Sequence, residues 1–186
     1  MMIRLETDRL IIRDHVKEDL QTLHGLISDK EIMFYIQDIM TETIEGSQMN
    51  LQVALEENEH PDRTKYFFAV IEKSSNEYVG EIGYTKLLEN SEGNVMELGY
   101  FTNKRFWGKG YVTEAAKAVV DYAFAELDTL KIETGCNAQN KGSEAVMIKL
   151  GMKREAYLKR HVLIDDIYYD RVEYGLLKEE WKDLCR

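Results

Sequence analysis

The chain has 186 residues, with 24 Lys and Arg against 34 Asp and Glu and a formal net charge of −10, a balance that argues against nucleic acid as a direct partner and mildly favours a cationic one. Its 44% apolar content is enough for one domain with a substantial core, and no stretch approaches the roughly 20 apolar residues that span a bilayer. Residues 1–9 are charged rather than signal-like, so a soluble, cytoplasmic protein with no membrane partner is expected.

In chain order, Leu5 to Arg13 reads as a first strand, with Leu10, Ile11 and Ile12 apolar among charges. Lys17 to Ile27 sets Leu20, Leu23, Leu26 and Ile27 on one helical face. Ile32 to Tyr35 continues apolar in a short helical or irregular piece. Thr43 to Asn58 is a second helix with Thr43 as its N-cap and Ile44, Met49 or Leu51, and Leu55 turned inward. A loop from Asn58 to Lys65 holds the chain's one proline, Pro61.

Three strands follow, Tyr66 to Glu72, Tyr78 to Lys86 and Val95 to Phe101, rich in Phe, Tyr, Val and Ile and separated by turn residues, as in an antiparallel meander. Tyr111 to Glu126 is a helix with Ala115, Val119, Tyr122, Ala123 and Leu127 on its core stripe. Leu130 to Cys136 closes a β-α-β unit with parallel strands. Lys141 to Leu150 is a helix stopped by Gly151 in a C-cap role, and Met152 to Leu163 and Ile167 to Leu177 form the last two strands. The order β-α-α-β-β-β-α-β-α-β-β predicts an α/β domain (α+β in its segregated strands) with a mixed, mostly antiparallel central sheet.

Residues 105–114, Arg-Phe-Trp-Gly-Lys-Gly-Tyr-Val-Thr-Glu, place a Gly-Lys-Gly turn where a strand hands over to a helix N-terminus. Unpaired N–H groups and the positive end of the helix dipole suit a phosphate or pyrophosphate there. Gly108 and Gly110 allow close main-chain approach, and Arg105 and Lys109 add positive charge. The spacing fits neither the P-loop nor the full dinucleotide fingerprint, because only one residue separates the glycines and Thr113 stands at the third glycine position. No metal is expected: His15, His24, His60 and His161 lack ligand spacing, and Cys136 and Cys185 show no Cys-x-x-Cys pattern or nearby His.

Arg105-x-x-Gly108-x-Gly110 resembles the pyrophosphate loop of the GNAT superfamily of acyl-CoA-dependent N-acetyltransferases. The wider chain is similar to its RimJ/RimL-like branch at Glu6 to Arg13, Glu97-Leu98-Gly99-Tyr100, Phe106 to Ala115, Lys131-Ile132-Glu133, Asn140-x-x-Ser143 with Lys149-Leu150-Gly151-Met152, and Asp170 to Trp181. The resemblance implies one acetyltransferase domain over residues 1–186, acetyl-CoA as cofactor, and a primary amine as acceptor. The acceptor would be a small cationic amine or a protein N-terminal α-amine. It further implies that two parallel strands splay apart so that Leu98, Gly99, Tyr100 and Phe101 pair with the pantetheine arm. Backbone N–H groups from Arg105, Phe106, Trp107, Gly108, Lys109, Gly110 and Tyr111 would hold the pyrophosphate. Asn140, with Ser143 beside it, would meet the pantetheine, and Lys149 the adenosine phosphate.

For the chemistry, Glu97 is the carboxylate nearest the reacting end and a general-base candidate, directly or through water; the alternatives are a surface glutamate or an ion pair with Arg105. The N–H of Leu98 or Gly99 would donate to the thioester carbonyl. Many family members place a tyrosine acid where this chain has Met147, so Ser143 is the candidate acid, with unassisted thiolate departure as the alternative. The same departure admits a non-catalytic acetyl-CoA-binding module. Acceptor contacts are expected from Tyr35 and Asp38 after the first helix and from Tyr168 near the last hairpin, both in acid- and aromatic-rich segments. Exposed hairpins of such folds often pair, which leaves a homodimer open.

Overall fold

The computed structural model describes residues 2–184; Cys185 lies outside them. Eight strands form one sheet in the order β1-β2-β3-β4-β5-β6-β8-β7. They are β1 (Arg4–Glu6), β2 (Leu10–Asp14), β3 (Lys65–Glu72), β4 (Tyr78–Asn90), β5 (Gly93–Thr102), β6 (Thr129–Asn137), β7 (Lys153–Ile164) and β8 (Ile167–Leu177), with helices α1 (Leu20–Ile27), α2 (Ile44–Glu59), α3 (Tyr111–Glu126), α4 (Lys141–Lys149) and α5 (Lys178–Leu184). β5 and β6 run parallel, with Asn94↔Thr129 through Glu97↔Glu133 in register. β1–β2, β2–β3, β3–β4, β6–β8 and β7–β8 pair antiparallel. No helix among the described residues is long and apolar enough to cross a membrane.

Two expectations need correction. The single strand over Leu5 to Arg13 is two strands joined by a tight turn, because Thr7 N–H bonds Leu10 O and the Thr7 hydroxyl accepts from Leu10 N–H. The order also gains α5 at its end. Its Trp181 is buried and donates its indole N–H to Asp121 at 2.6 Å, a tertiary anchor with no local signature.

The chain divides into two compact units, Met1–Thr85 with Gly99–Val119, and Lys86–Leu98 with Val120–Arg186. In the first unit, Leu23, Leu26, Ile27, Met33, Leu51, Ala69, Ile71, Tyr78 and Phe101 form an apolar cluster that covers α1 and α2 against strand residues. Of the two candidates in α2 it is Leu51 that turns inward; Met49 is exposed. Thr43 caps α2 by accepting from Gly46 N–H at 3.1 Å. Tyr84, fully buried, stacks edge-on to Phe68 and reaches Val119 O on α3.

In the second unit, β6, β7 and β8 carry the core with Ile132, Val172 and Leu176 buried. α4 ends in a Schellman motif: Gly151 takes φ +76°, its N–H bonds Ile148 O, and Met152 N–H returns to Met147 O. The β7–β8 turn is built on Asp165 and Asp166, both at left-handed φ, which suits a two-residue hairpin.

Candidate active site

In the first unit the Gly-Lys-Gly turn joins a short 3-10 turn, Lys104–Phe106, to the start of α3. Asn103 caps the 3-10 turn by accepting from Arg105 N–H at 3.1 Å, and Phe106 and Trp107 N–H bond Asn103 O and Lys104 O. Lys109 N–H makes a longer contact to Phe106 O at 3.4 Å. These four donors are therefore used inside the turn. Gly108 and Gly110, at φ +71° and +80°, and the first turn of α3, residues 111–113, supply the N–H groups left for an anion. That narrows the donor set expected over Arg105 to Tyr111. Space agrees: a Cβ at Gly108 would meet nothing within 4 Å, and one at Gly110 only the Arg9 guanidinium at 3.6 Å.

Cations gather at this turn, though not all as expected. Arg105 pairs with Glu77 at 2.6 Å rather than with Glu97. Lys109 leans over the Phe106 ring with Nζ 5.9 Å from its centroid. Arg9 stacks 4.3 Å over Tyr111, donates to Lys109 O at 3.1 Å and pairs with Glu114 at 2.6 Å. Partial burial pushes the Glu114 carboxyl up, but hydrogen bonds from the Thr7 hydroxyl and from the main chain and guanidinium of Arg9 hold it below its usual range. Arg9 shares no local motif with the turn, so the sequence alone does not place it there. The Tyr111 hydroxyl donates to Glu72, and that bond raises the phenol's pKa. A small, mainly apolar cavity of about 10 Å³ is lined by Tyr100, Phe101 and Thr102 of β5 and Tyr111, Val112 and Ala115 of α3, with β3 and β4 residues, Glu81 among them, behind. Tyr35 packs edge-on to Phe34, and Asp38 is exposed, both in the segment between α1 and α2.

In the second unit Glu97 is exposed at the last parallel pair, opposite Glu133, with Leu98 buried beside it. Among the described residues β5 and β6 show no register beyond that pair, although β5 continues to Thr102 and β6 to Asn137. Asn140 is the N-cap of α4, its Oδ1 accepting from Ser143 N–H at 3.1 Å. One of its two polar ends is thus spent on the helix. The Cys136 thiol is buried and its pKa raised by that burial, with the Ser143 hydroxyl against it working the other way. Met147 is fully buried and faces the core. Lys149 is exposed at the end of α4, and Tyr168 is exposed on β8. Among the described residues no cluster of three or more His, Cys, Asp or Glu is placed to hold a metal ion.

With a mixed, mostly antiparallel sheet and a glycine turn at a helix N-terminus, the chain belongs to the acetyltransferase (GNAT) domain family, which it matches over residues 9–153. It is an acetyl-CoA-dependent acetyltransferase. Among its relatives, the uncharacterized N-acetyltransferase YnaD of Bacillus subtilis is 30% identical over 96% of this chain and 99% of that protein. The [Ribosomal protein uS5]-alanine N-acetyltransferase of Escherichia coli is 23% identical over 96% of this chain and 93% of that one. In structure, a GNAT-family acetyltransferase from Bacillus anthracis superposes with a TM-score of 0.79 at 29% identity, covering 96% of this chain and all of that one.

Proposed function

We propose that the chain, one GNAT domain from end to end, transfers acetyl from acetyl-CoA directly to a primary amine in a ternary complex. The observation that carries this reading is the turn itself: two positive-φ glycines at a helix start present N–H groups to a pyrophosphate, next to a strand that can extend along a pantetheine arm. The N-acetyltransferase activity named for the full-length relatives supports an amine acceptor.

In the reaction the neutral amine nitrogen bonds to the acetyl carbonyl carbon and the C–S bond breaks. The amine loses a proton, and the CoA sulfur leaves as thiolate or takes a proton. Glu97, exposed on the strand that would carry the thioester, accepts the amine proton directly or through one water. A main-chain N–H at Leu98 or Gly99 steadies the developing oxyanion. Ser143 is the candidate donor to sulfur in place of the buried Met147. Asn140 meets the pantetheine with the polar end that α4 does not use, and Lys149 meets the adenosine phosphate. Tyr35, Asp38 and Tyr168 contribute to acceptor binding.

The test is release of CoA thiol from acetyl-CoA across a panel of small amines and N-terminal peptides, with product mass measured. Thiol release that requires an amine, with an acetylated product, supports the reading; cofactor binding without turnover for any amine rejects it.

A further inference from the structure

One face of the sheet in the first unit carries a buried charged network that the cofactor site does not use. The strand register sets Arg13, Ala69 and Glu81 in a row across β2, β3 and β4. His15, just past β2, is fully enclosed, with Nδ1 3.2 Å from Asp19 Oδ2 and Nε2 3.0 Å from Glu81 Oε2. Arg13 grips both oxygens of Asp19 at 2.7 Å. Charges therefore alternate, Arg13, Asp19, His15, Glu81. Burial by itself would strip the imidazole of its proton, but the two carboxylates outweigh it and raise the His15 pKa to about 9. Asp14 is balanced separately by Arg63 at 2.8 Å.

A closed structural network would leave nothing over, and this one does. The His15 nitrogens sit at ion-pair distance but off the line of a good hydrogen bond, and the Tyr78 hydroxyl, on a side chain more than nine-tenths buried, has no partner. More than nine in ten buried polar groups in folded proteins are paired. The charges of Glu81, Asp19 and Arg13 all act on that hydroxyl, so it lies within their field. Glu81 keeps 15% side-chain exposure, which makes it the open end of the network.

Glu81 also shares a sheet face with part of β5. Phe101 packs in the same cluster as Ala69, and Ala69 is the cross-strand partner of Glu81. By strand alternation Gly99 lies on that face too. A Cβ there would meet nothing within 4 Å. Glu81 lines the same small cavity as Tyr100 and Phe101 of the strand assigned to the pantetheine.

We infer that Glu81, with the Tyr78 hydroxyl beside it, anchors a second positive charge on the acceptor, so that the acceptor is a di- or polyamine rather than a monoamine or a peptide N-terminus. The inference rests on the amine-acetyltransferase reading above. An ammonium donates to the Glu81 carboxylate and to the Tyr78 oxygen, which satisfies the buried hydroxyl. His15 touches no substrate; it is a positioning residue that, with Asp19 behind it, fixes the Glu81 carboxylate.

The test uses the full chain and three probes, n-butylamine, 1,4-diaminobutane and spermidine, in the thiol-release assay. In the wild type, KM for the two polyamines should fall at least about tenfold below that for n-butylamine. Glu81→Gln should collapse that ratio toward one, through KM rather than kcat. Tyr78→Phe should raise the polyamine KM about 3- to 10-fold without lowering Tm, since the hydroxyl has no internal partner to lose; it decides the matter if Glu81→Gln does not fold. Equal KM for mono- and diamine in the wild type overturns the inference, as does a ratio that survives both variants. So does an Ala-initiated peptide acetylated faster than spermidine with no dependence on Glu81. Turnover of amines without charge discrimination sinks only the anchor, whereas no thiol release with any amine sinks the acetyl-transfer reading as well.

Discussion

The glycine turn and the His15 network lie in the same unit and differ in how they are built. The turn is local: within nine residues, 103–111, the chain supplies the cap, the 3-10 turn, two positive-φ glycines and the helix start. The network draws on β2, the 3-10 turn Lys17–Asp19 just before α1, and β4, and its close contacts join residues up to 66 positions apart, His15 to Glu81. A locally coded site offers main-chain donors to any pyrophosphate, while a site assembled across strands can be re-tuned one side chain at a time. On the proposed reading, cofactor binding sits in the first and acceptor choice in the second.

The largest effect that could break this division is at the turn. Gly110→Glu or Gly108→Glu places a side chain and a like charge in the anion path and forces a non-glycine residue to φ near +70° to +80°. Acetyl-CoA binding by calorimetry should weaken at least about 100-fold; unchanged affinity would remove the turn from the cofactor site. Next is Glu97→Gln, expected to lower kcat about 100-fold or more while cofactor affinity holds. A variant with a wild-type pH–rate profile would strip Glu97 of the base role.

The network makes a pH prediction of intermediate size. His15 has a folded pKa of about 9 against 6.5 for the free side chain. Its contribution to stability is fully present below about 6.5 and is lost as pH rises through 9. The loss is on the order of 2–3 kcal/mol by the size of that shift, read as a falling Tm between pH 7 and 10. His15→Gln should flatten the curve; a flat wild-type curve would mean the imidazole is neutral and the alternating chain of charges wrong. Asp19, whose carboxyl burial pushes up but Arg13 and His15 hold far below its usual range, works in the opposite sense: its contribution is present above the ordinary carboxylate pKa and fades as pH falls toward the depressed value.

The smallest effect separates two roles of Asn140. Asn140→Ala removes the α4 cap and should cost about 1 kcal/mol, whereas Asn140→Ser keeps a capping oxygen. If Asn140→Ser restores stability but not acetyl-CoA affinity, the pantetheine contact stands; if it restores both, Asn140 is a cap alone.

What could be read from the sequence divides along the same line. The helix over Tyr111–Glu126, the Thr43 cap and the Gly151 stop are short-range patterns, and each forms where periodicity and capping chemistry put it. The parallel β5–β6 pairing follows from the length and hand of one crossover. The β1–β2 turn was hidden because its strands read as one apolar run. α5 was hidden because its stability comes from Trp181 against Asp121. Arg9 at the glycine turn and His15 between two carboxylates left no trace at all. Their partners, Glu114, Asp19 and Glu81, are brought together only by sheet register and helix packing.

The most direct measurement is the thiol-release screen on the intact chain, run with acetyl-CoA against mono-, di- and polyamines and an Ala-initiated peptide. The account predicts CoA release that requires an amine and is fastest at low concentration for acceptors with a second positive charge. Acetyl-CoA bound tightly with no thiol released by any acceptor would contradict it.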